Sequence, residues 1–281
     1  MPYIEVFVMW KANKVSLHFG LEKPVRILHL TDVHILLAYD HESDAHKSFT
    51  AKRAPLFEVS GRSPSELLEE AMDYGKEFDC TVVTGDVVDC VSEANYDEMR
   101  RIFSGRDFMF TLGSHEYIQM HRHEVRTHEH RDSKKEMWDE LQSIFSTDIG
   151  FDSRIVGGVN VITADNATFA WSEVQYKRFR EEVAKGYPIL IFTHTPLHMP
   201  KNAALDMYAT ADCHDHMVRY GFSEEEIQLS REVTDYLVNE PLVRGFFAGH
   251  CHLTMEKPYR GKPCYFTGAL FQKELTEITI D

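Results

Sequence analysis

The chain has little positive charge and no long apolar run. Its 30 lysine and arginine residues stand against 45 aspartate and glutamate residues, which gives a formal net charge of -15 over 281 residues. Nucleic acids and anionic membranes attract basic surfaces, so this balance argues against bulk nucleic-acid binding and against attachment to a membrane. No segment approaches the roughly 18 apolar residues that a membrane span needs. We expect an ordinary soluble globular protein; nothing in the sequence indicates its oligomeric state.

Cysteine is scarce and unpaired. The five cysteines include no CxxC pair, and their number is odd. This usage fits reduced thiols in a cytoplasmic protein better than a disulfide framework. The segment 4–10 carries Glu5 and no basic residues before it, so we interpret it as a strand and not as a signal peptide. The predicted location is the cytoplasm.

Three common catalytic loops are also missing. The chain contains neither the phosphate loop G-x-x-x-x-G-K-[ST] nor the dinucleotide fingerprint G-x-G-x-x-G, and it has no G-x-S-x-G nucleophile elbow. Nucleotide binding by those two loops and serine hydrolase chemistry are therefore not expected.

Apolar periodicity predicts a mixed α/β domain over residues 1–281. Helix-capping signals predict helices that begin at Ser63, Ser92, Ser133, Ser172 and Ser223. Buried strands alternate with them, and an N-terminal hairpin is predicted at 3–19 with its turn at 11–14. Two stretches without periodicity, near 36–61 and 196–222, are predicted to be loop insertions beside the site.

Short polar signatures follow five of the predicted strands. They are Asp32-Val33-His34, Gly85-Asp86-Val87-Val88-Asp89, Gly113-Ser114-His115-Glu116, Thr193-His194-Thr195 and Gly249-His250-Cys251-His252. Strand ends can meet at one edge of a sheet, and carboxylate with imidazole is a ligand set for divalent metals. A single D-x-H or strand-end histidine is weak on its own, but the shared position of all five predicts a metal site.

Spacing within the signatures suggests individual roles. Residues two apart on an extended segment point to the same face, so Asp32 and His34 are able to bind one cation. His250 and His252 have the same spacing and either share one metal or serve two neighbouring metals. Asp86 follows a glycine that lets it project beyond the strand. Asp89 is predicted to be an acceptor that fixes a ligand or the loop; the alternative is a helix cap, and one residue is able to fill both roles.

The order D-x-H, G-D-x-x-D, G-N-H-[D/E], strand-end His and G-H-x-H resembles that of the calcineurin-like metallophosphoesterases. The resemblance spans residues 27–252 and implies a two-sheet β-sandwich flanked by helices, in four layers α/β/β/α. It further implies two divalent metal ions and hydrolysis of a phosphoester by in-line attack of a metal-bound hydroxide. By the same resemblance, Asp32, His34 and His252 would hold the first metal, Asp86 would bridge the two metals, and His194 and His250 would hold the second. His115 would be the catalytic acid or phosphate contact, with Glu116 orienting its ring.

One residue departs from the family pattern. Ser114 stands where the family has asparagine, which replaces an amide oxygen by a hydroxyl on a shorter arm. We therefore expect a second metal that is held weakly or completed by solvent. The alternative is a catalytically weak or silent metal-binding or protein-interaction scaffold. Manganese, iron and zinc all suit these ligands, and phosphomonoesters and phosphodiesters both stay open as substrates.

Other polar residues near the signatures are weaker candidates. Arg122, within a histidine-rich charged segment, and His198 and His214, in the second insertion, are predicted to contact the substrate. The alternative for the first segment is a solvated connection into the next helix. Cys213 with His214 and His216 lacks a partner pair at zinc-finger spacing, so a structural zinc site is not expected.

Overall fold

The structure, a computed structural model, describes residues 9–59, 61–119, 129–197 and 214–281. The strands within this part are β1 Lys11–Leu17, β2 Val25–Leu30, β3 Cys80–Val83, β4 Met109–Phe110, β5 Phe151–Val156, β6 Val159–Ala164, β7 Ile189–Thr193, β8 Val243–Ala248, β9 Met255–Glu256, β10 Cys264–Phe266 and β11 Glu274–Ile280. They form two mixed sheets, with strand orders β1-β11-β2-β3-β4 and β5-β6-β7-β8-β10-β9.

The α-helices lie between these strands in the chain. Their bounds are α1 Asp44–Arg53, α2 Pro64–Tyr74, α3 Glu93–Phe103, α4 Glu129–Ile144, α5 Glu173–Val183, α6 His214–Arg219 and α7 Glu224–Asn239. Ser63, Ser172 and Ser223 each form a capping box with the glutamate or glutamine three residues later. Each box satisfies amide groups that the first helical turn leaves without partners, which is why these three helices begin where the sequence predicts. Within the described ranges, no helix has the length and apolar character to cross a bilayer.

The core lies in three layers. Ile27 of β2 packs with Val161, Phe192 and Phe247 of the other sheet, so the two sheets face each other. Leu28, the next residue along β2, points to the opposite face and packs with side chains of α2 and α3. A third cluster places α5 and α7 on the outer face of the second sheet. The predicted four-layer sandwich is confirmed.

Parallel pairing brings the ends of the motif-bearing strands to common edges. In the first sheet β2, β3 and β4 are parallel, and in the second sheet β6, β7, β8 and β10 are parallel. Loops that leave the carboxyl ends of parallel strands emerge on the same side of a sheet. The five polar signatures occupy these loops.

The structure corrects three predictions about connections. Residues 11–14 are not a hairpin turn but part of β1, which pairs in parallel with β11; residues 3–8 lie outside the described ones. The insertion at 36–61 contains helix α1, which buries only His46 and so shows no apolar periodicity. The second insertion contains α6 at its end, and residues 198–213 lie outside the described ones.

Candidate metal centre

The predicted metal ligands come together at the strand ends. Three hydrogen-bond-length contacts connect loops that are far apart in the sequence. The backbone amide of His250 donates to Oδ2 of Asp32 at 2.9 Å, Nδ1 of His250 lies 3.2 Å from Nε2 of His194, and Nε2 of His34 lies 3.0 Å from Nε2 of His252. The sheet topology therefore assembles residues from β2, β7 and β8 into one site.

Five of the ligand candidates adopt left-handed backbone conformations. Their φ angles lie between 51° and 68°, and the residues are Asp32, His34, Asp86, His250 and His252. Residues other than glycine adopt this region at an energetic cost, and such strain concentrates at functional sites. The shared conformation is local evidence, independent of the sequence motifs, that these side chains are held for a purpose.

Glycine allows two of the loops to touch. A Cβ on Gly85 would collide with the backbone of Gly113, and Gly85 also has φ of 74°. A Cβ on Gly113 would collide with the carboxylate of Asp86. The loops after β3 and β4 therefore approach so closely that neither position has room for a side chain.

Asp32, His34 and His252 form the first ligand cluster. Their ligand atoms lie within 4.8 Å of one another, and Oδ1 of Asp32 is 3.2 Å from Nε2 of His252. Oδ2 of Asp32 accepts a hydrogen bond from Thr31, whereas Oδ1 is buried and makes no hydrogen bond of normal geometry to any described residue. A buried carboxylate oxygen without a hydrogen bond is costly unless a cation occupies the space in front of it.

Asp86, His194 and His250 form the second cluster. Oδ2 of Asp86 lies 3.1 Å from Nε2 of His194, and both side chains are almost completely buried. The other oxygen of Asp86 accepts a hydrogen bond from the backbone amide of His115 at 2.9 Å. The predicted bridge between two metals by Asp86 stays a prediction, since its close ligand neighbours all belong to this second cluster.

Hydrogen bonds on the far side of two imidazoles fix their tautomers. Nδ1 of His194 lies 2.8 Å from the carbonyl oxygen of Thr84, which only accepts, so this nitrogen carries the proton. Nδ1 of His34 faces a carboxylate oxygen of Asp89 at 3.2 Å in the same way. The Nε2 atoms of both rings consequently point into the site, where each is able to bind a metal ion in place of a proton. The residues present fit divalent metal ions in both clusters.

The carboxylates of the two clusters are ionised. Burial opposes ionisation of Asp32, but the imidazoles of His252 and His194 outweigh it and lower its pKa to about 2. Burial likewise opposes ionisation of Asp86, and His194 and His115 hold the pKa of this carboxyl well below its ordinary value. Ionised carboxylate is the form that binds a cation.

Sequence and structure comparisons agree with this geometry. The family model for the calcineurin-like phosphoesterases matches residues 25–253. The chain belongs to the calcineurin-like phosphoesterase family. Its membership implies divalent metal ions and metal-dependent hydrolysis of phosphoesters, the general reaction of this hydrolase family. No curated protein sequence matches the chain significantly.

Solved structures of similar fold include phosphoesterases of other organisms. A dimetal phosphatase from Danio rerio is 13% identical, with a TM-score of 0.53 over 90% of this chain and 91% of that chain. A putative 5'-nucleotidase from Staphylococcus aureus is 12% identical over 88% of this chain and 49% of that chain, with a TM-score of 0.45. At such low identity the first likeness shows the shared fold alone.

His115 lies at the edge of the two clusters of this calcineurin-like phosphoesterase. Its Nδ1 lies 2.7 Å from the backbone oxygen of Asp89, and its Nε2 is 3.9 Å from Oδ2 of Asp86. Its ring also meets that of His34 edge to face, at 4.9 Å between centroids. The side chain is 18% exposed, so the ring is held firmly while Nε2 faces the ligand clusters.

Glu116 does not orient the His115 ring, contrary to the prediction. Its carboxylate instead accepts hydrogen bonds from the backbone amides of Asp86 at 3.0 Å, Gly113 at 2.7 Å and Val87. Burial and the nearby charge of Asp86 raise the pKa of Glu116 to about 7. Glu116 therefore fastens the two metal-site loops together. Ser114 is buried, and its weak ligation of the second metal stays a prediction.

Asp89 fixes a ligand, as one of its two predicted roles requires, and it does not cap a helix. Ser92 caps α3 instead. The sequence reasoning missed Arg53, whose guanidinium binds the Asp89 carboxylate at 2.8 and 2.9 Å. It also missed Phe57, whose ring stacks on His34. Both lie in the insertion at 36–61, where no pattern in the sequence marked them.

The weaker candidates lie elsewhere or outside the described residues. His214 is at the start of α6, with its side chain 40% exposed, and its Nε2 lies 3.2 Å from a carboxylate oxygen of Glu224. This contact joins His214 to Glu224 at the surface, and the role of His214 in substrate binding stays a prediction. His198 and Arg122 both lie outside the described residues.

Proposed function

We propose that this protein hydrolyses a small-molecule phosphomonoester or phosphodiester with two divalent metal ions, of manganese, iron or zinc. One observation carries the proposal. Two groups of three ligands converge beside His115, and one of them contains the buried Asp32 oxygen without a hydrogen bond. When bound, metal ions at such sites polarise the phosphoryl group and lower the pKa of a water molecule.

The residues of the chain divide the remaining work. Asp32, His34 and His252 would hold one metal, and Asp86, His194 and His250 the other. The oxygen of a water molecule forms a bond to phosphorus opposite the leaving oxygen and gives up a proton to solvent, while the ester P–O bond breaks and the leaving oxygen takes up a proton. His115 would supply the second of these protons from Nε2 when both of its ring nitrogens are protonated, because its Nδ1 proton is engaged by the carbonyl oxygen of Asp89 and stays on the ring. Asp89 and Glu116 keep ligands and loops in place.

A direct test is hydrolysis of para-nitrophenyl phosphate and bis-para-nitrophenyl phosphate with added Mn²⁺. The wild-type protein should turn over at least one of them, and removal of metal by a chelator should abolish turnover. H115A should lose about 10²–10⁴-fold in kcat, the usual contribution of a general acid. The matched control is H18A, since His18 is exposed and pairs with Asp281 far along the chain. Equal activity of H115A and wild type would contradict the assigned role.

The second candidate is a catalytically silent metal-binding scaffold. Ser114 favours it, because a hydroxyl on a short arm is a poorer metal ligand than an amide oxygen. Binding of Mn²⁺ without hydrolysis, across a broad panel of phosphoesters and with manganese, iron and zinc each supplied, would support the scaffold and contradict the enzyme.

We also propose a cytoplasmic location and a small-molecule partner. The cysteines Cys80, Cys90 and Cys264 are free thiols and are buried, which suits a reducing compartment. The net charge of -15 disfavours nucleic acid and anionic membrane as partners. Cell fractionation tests the location, and binding to DNA- and phosphatidylserine-coated surfaces at low salt tests the excluded partners.

A further inference from the structure

We propose that Arg53 is a positioning residue that sets the geometry of the metal centre from outside it. Arg53 holds Asp89, and Asp89 in turn orients the imidazoles of His34 and His115. The inference rests on the proposed function, because it concerns the same site, and it assigns a role to the insertion at 36–61.

The contact between Arg53 and Asp89 has the strongest geometry available to an ion pair. Nε of Arg53 donates to Oδ2 of Asp89 at 2.8 Å, and Nη2 donates to Oδ1 at 2.9 Å. This two-pronged contact fixes the plane of the carboxylate as well as its position. Asp89 is fully buried, so its negative charge needs a compensating cation within the protein.

Asp89 in turn contacts two imidazoles and holds their orientation. Its Oδ1 lies 3.2 Å from Nδ1 of His34 and 3.5 Å from Nδ1 of His115, and its backbone oxygen lies 2.7 Å from Nδ1 of His115. A carboxylate in this place keeps the His34 proton on Nδ1 and leaves Nε2 free for a metal. Loss of Arg53 would remove the two-pronged contact that fixes the plane of the Asp89 carboxylate, so that this carboxylate would be able to turn away from His34.

The insertion restrains His34 from a second direction. The ring of Phe57 stacks on that of His34 with centroids 4.9 Å apart and an angle of 8° between the planes. The same ring lies 5.5 Å from the guanidinium carbon of Arg53. Arg53 ends α1, and α1 is anchored by its Ser43 cap and by the buried His46, whose Nε2 lies 3.0 Å from the carbonyl oxygen of Leu37. The segment is therefore built to hold both Arg53 and Phe57 against the site.

The test is titration of metal-free protein with Mn²⁺ by calorimetry, together with kinetics on para-nitrophenyl phosphate. R53A should weaken Mn²⁺ binding by about 10–100-fold, the usual effect of losing a residue that supports a ligand. At saturating Mn²⁺ its KM should stay near the wild-type value while kcat falls. R53K, which keeps the charge but not the two-pronged contact, should lie between R53A and wild type.

The matched control is R101A. Arg101 makes a similar two-pronged contact, with Glu98 at 2.6 and 2.8 Å, but within the surface of α3. R101A should bind Mn²⁺ as the wild type does. A raised KM with unchanged Mn²⁺ affinity in R53A would overturn the inference, because it would make Arg53 a substrate contact.

A double-mutant cycle with D89N shows whether Arg53 affects Mn²⁺ binding through Asp89. If Arg53 acts through Asp89, R53A should cause little further loss of Mn²⁺ affinity in the D89N protein, whereas additive losses would contradict this route. R53K supplies the same comparison if R53A does not fold. Wild-type protein that binds no Mn²⁺ would refute the proposed function itself; wild-type binding with unaffected Arg53 variants would refute this inference alone.

Discussion

The carboxylate of Glu116 accepts a hydrogen bond from the backbone amide of Asp86 at 3.0 Å, although Glu116 is next to His115 in the chain. The same carboxylate takes amide protons from Gly113 and Val87, so one side chain joins the loops after β3 and β4. The position of Asp86 thus depends on a residue from the neighbouring motif.

We expect E116Q to destabilise the fold and loosen the metal site. Glutamine has one acceptor oxygen, and its NH₂ group would face an amide donor that Glu116 now satisfies. The free energy of unfolding should fall by about 1–3 kcal/mol, the cost of leaving a buried donor without a partner. Urea denaturation measures this. E140Q, at an exposed position, should change stability by less than about 0.5 kcal/mol; equal effects of the two variants would contradict the role of Glu116.

We expect S114N to strengthen binding of the second metal. Asparagine returns the amide oxygen that the family pattern has here, and one added polar contact of about 1.4 kcal/mol corresponds to about tenfold in affinity. S114A, which removes the hydroxyl, should bind the second metal no better than wild type. Stepwise Mn²⁺ titration resolves the two binding events. Unchanged metal content and metal dependence in S114N would show that position 114 does not limit the second metal.

We expect single ligand substitutions to remove metals selectively. H252A should lose the metal held with Asp32 and His34, and H250A the metal held with Asp86 and His194, so each should retain about one equivalent. D86N should lose both if Asp86 bridges the metals. Mass spectrometry of protein dialysed against Mn²⁺ counts the equivalents. Retention of one equivalent by D86N would place Asp86 on the second metal alone.

The sequence was sufficient to predict most of the fold and the polar residues that the structure brings together at the strand ends. Helix starts were predictable where serine forms a capping box, as at Ser63, because the box acts over four residues. The clustering of the ligand candidates was predictable because each follows a buried strand, and parallel pairing brings such strand ends together. Both kinds of signal are local, and the sheet topology makes local signals converge.

The contacts that support the ligand candidates were not predictable, because they join residues that are far apart in the sequence and leave no local signal. Arg53 meets Asp89 across 36 residues, within an insertion that has no apolar periodicity. Glu116 was predicted to bind its neighbour His115, yet the loop turns its carboxylate toward Asp86 instead. Such contacts depend on how loops fold over one another, and the identity of one residue carries little information about them.

We expect metal removal to lower thermal stability. Asp32, Asp86 and Asp89 place three buried carboxylates near one another, and bound cations would offset their repulsion. A ligand at 100 times its Kd stabilises the folded state by about 2.7 kcal/mol per site. Scanning calorimetry should show a higher Tm with Mn²⁺ than with a chelator. The D86N protein should respond less than wild type, and an equal response would show that Mn²⁺ stabilises the protein elsewhere.

We expect the folded protein to lose part of its stability in acid because Glu182 becomes protonated. Glu182 is remote from the metal-ligand candidates. Its carboxylate accepts a hydrogen bond from Asn160 of β6 at 2.8 Å and pairs with Lys185 at 2.6 Å. Burial opposes ionisation, but Lys185 and Asn160 outweigh it and lower the pKa of Glu182 below its ordinary value of 4.5. A lowered pKa means that this stabilisation is present above pH 4.5 and is lost as the pH falls through the folded-state pKa.

E182Q should therefore be less stable than wild type by about 1.5–3 kcal/mol at pH 7, and the difference should shrink toward pH 3. Urea denaturation across this range measures it, with E181Q as the exposed neighbouring control. A difference that stays constant with pH would show that the charge of Glu182 contributes nothing to folding.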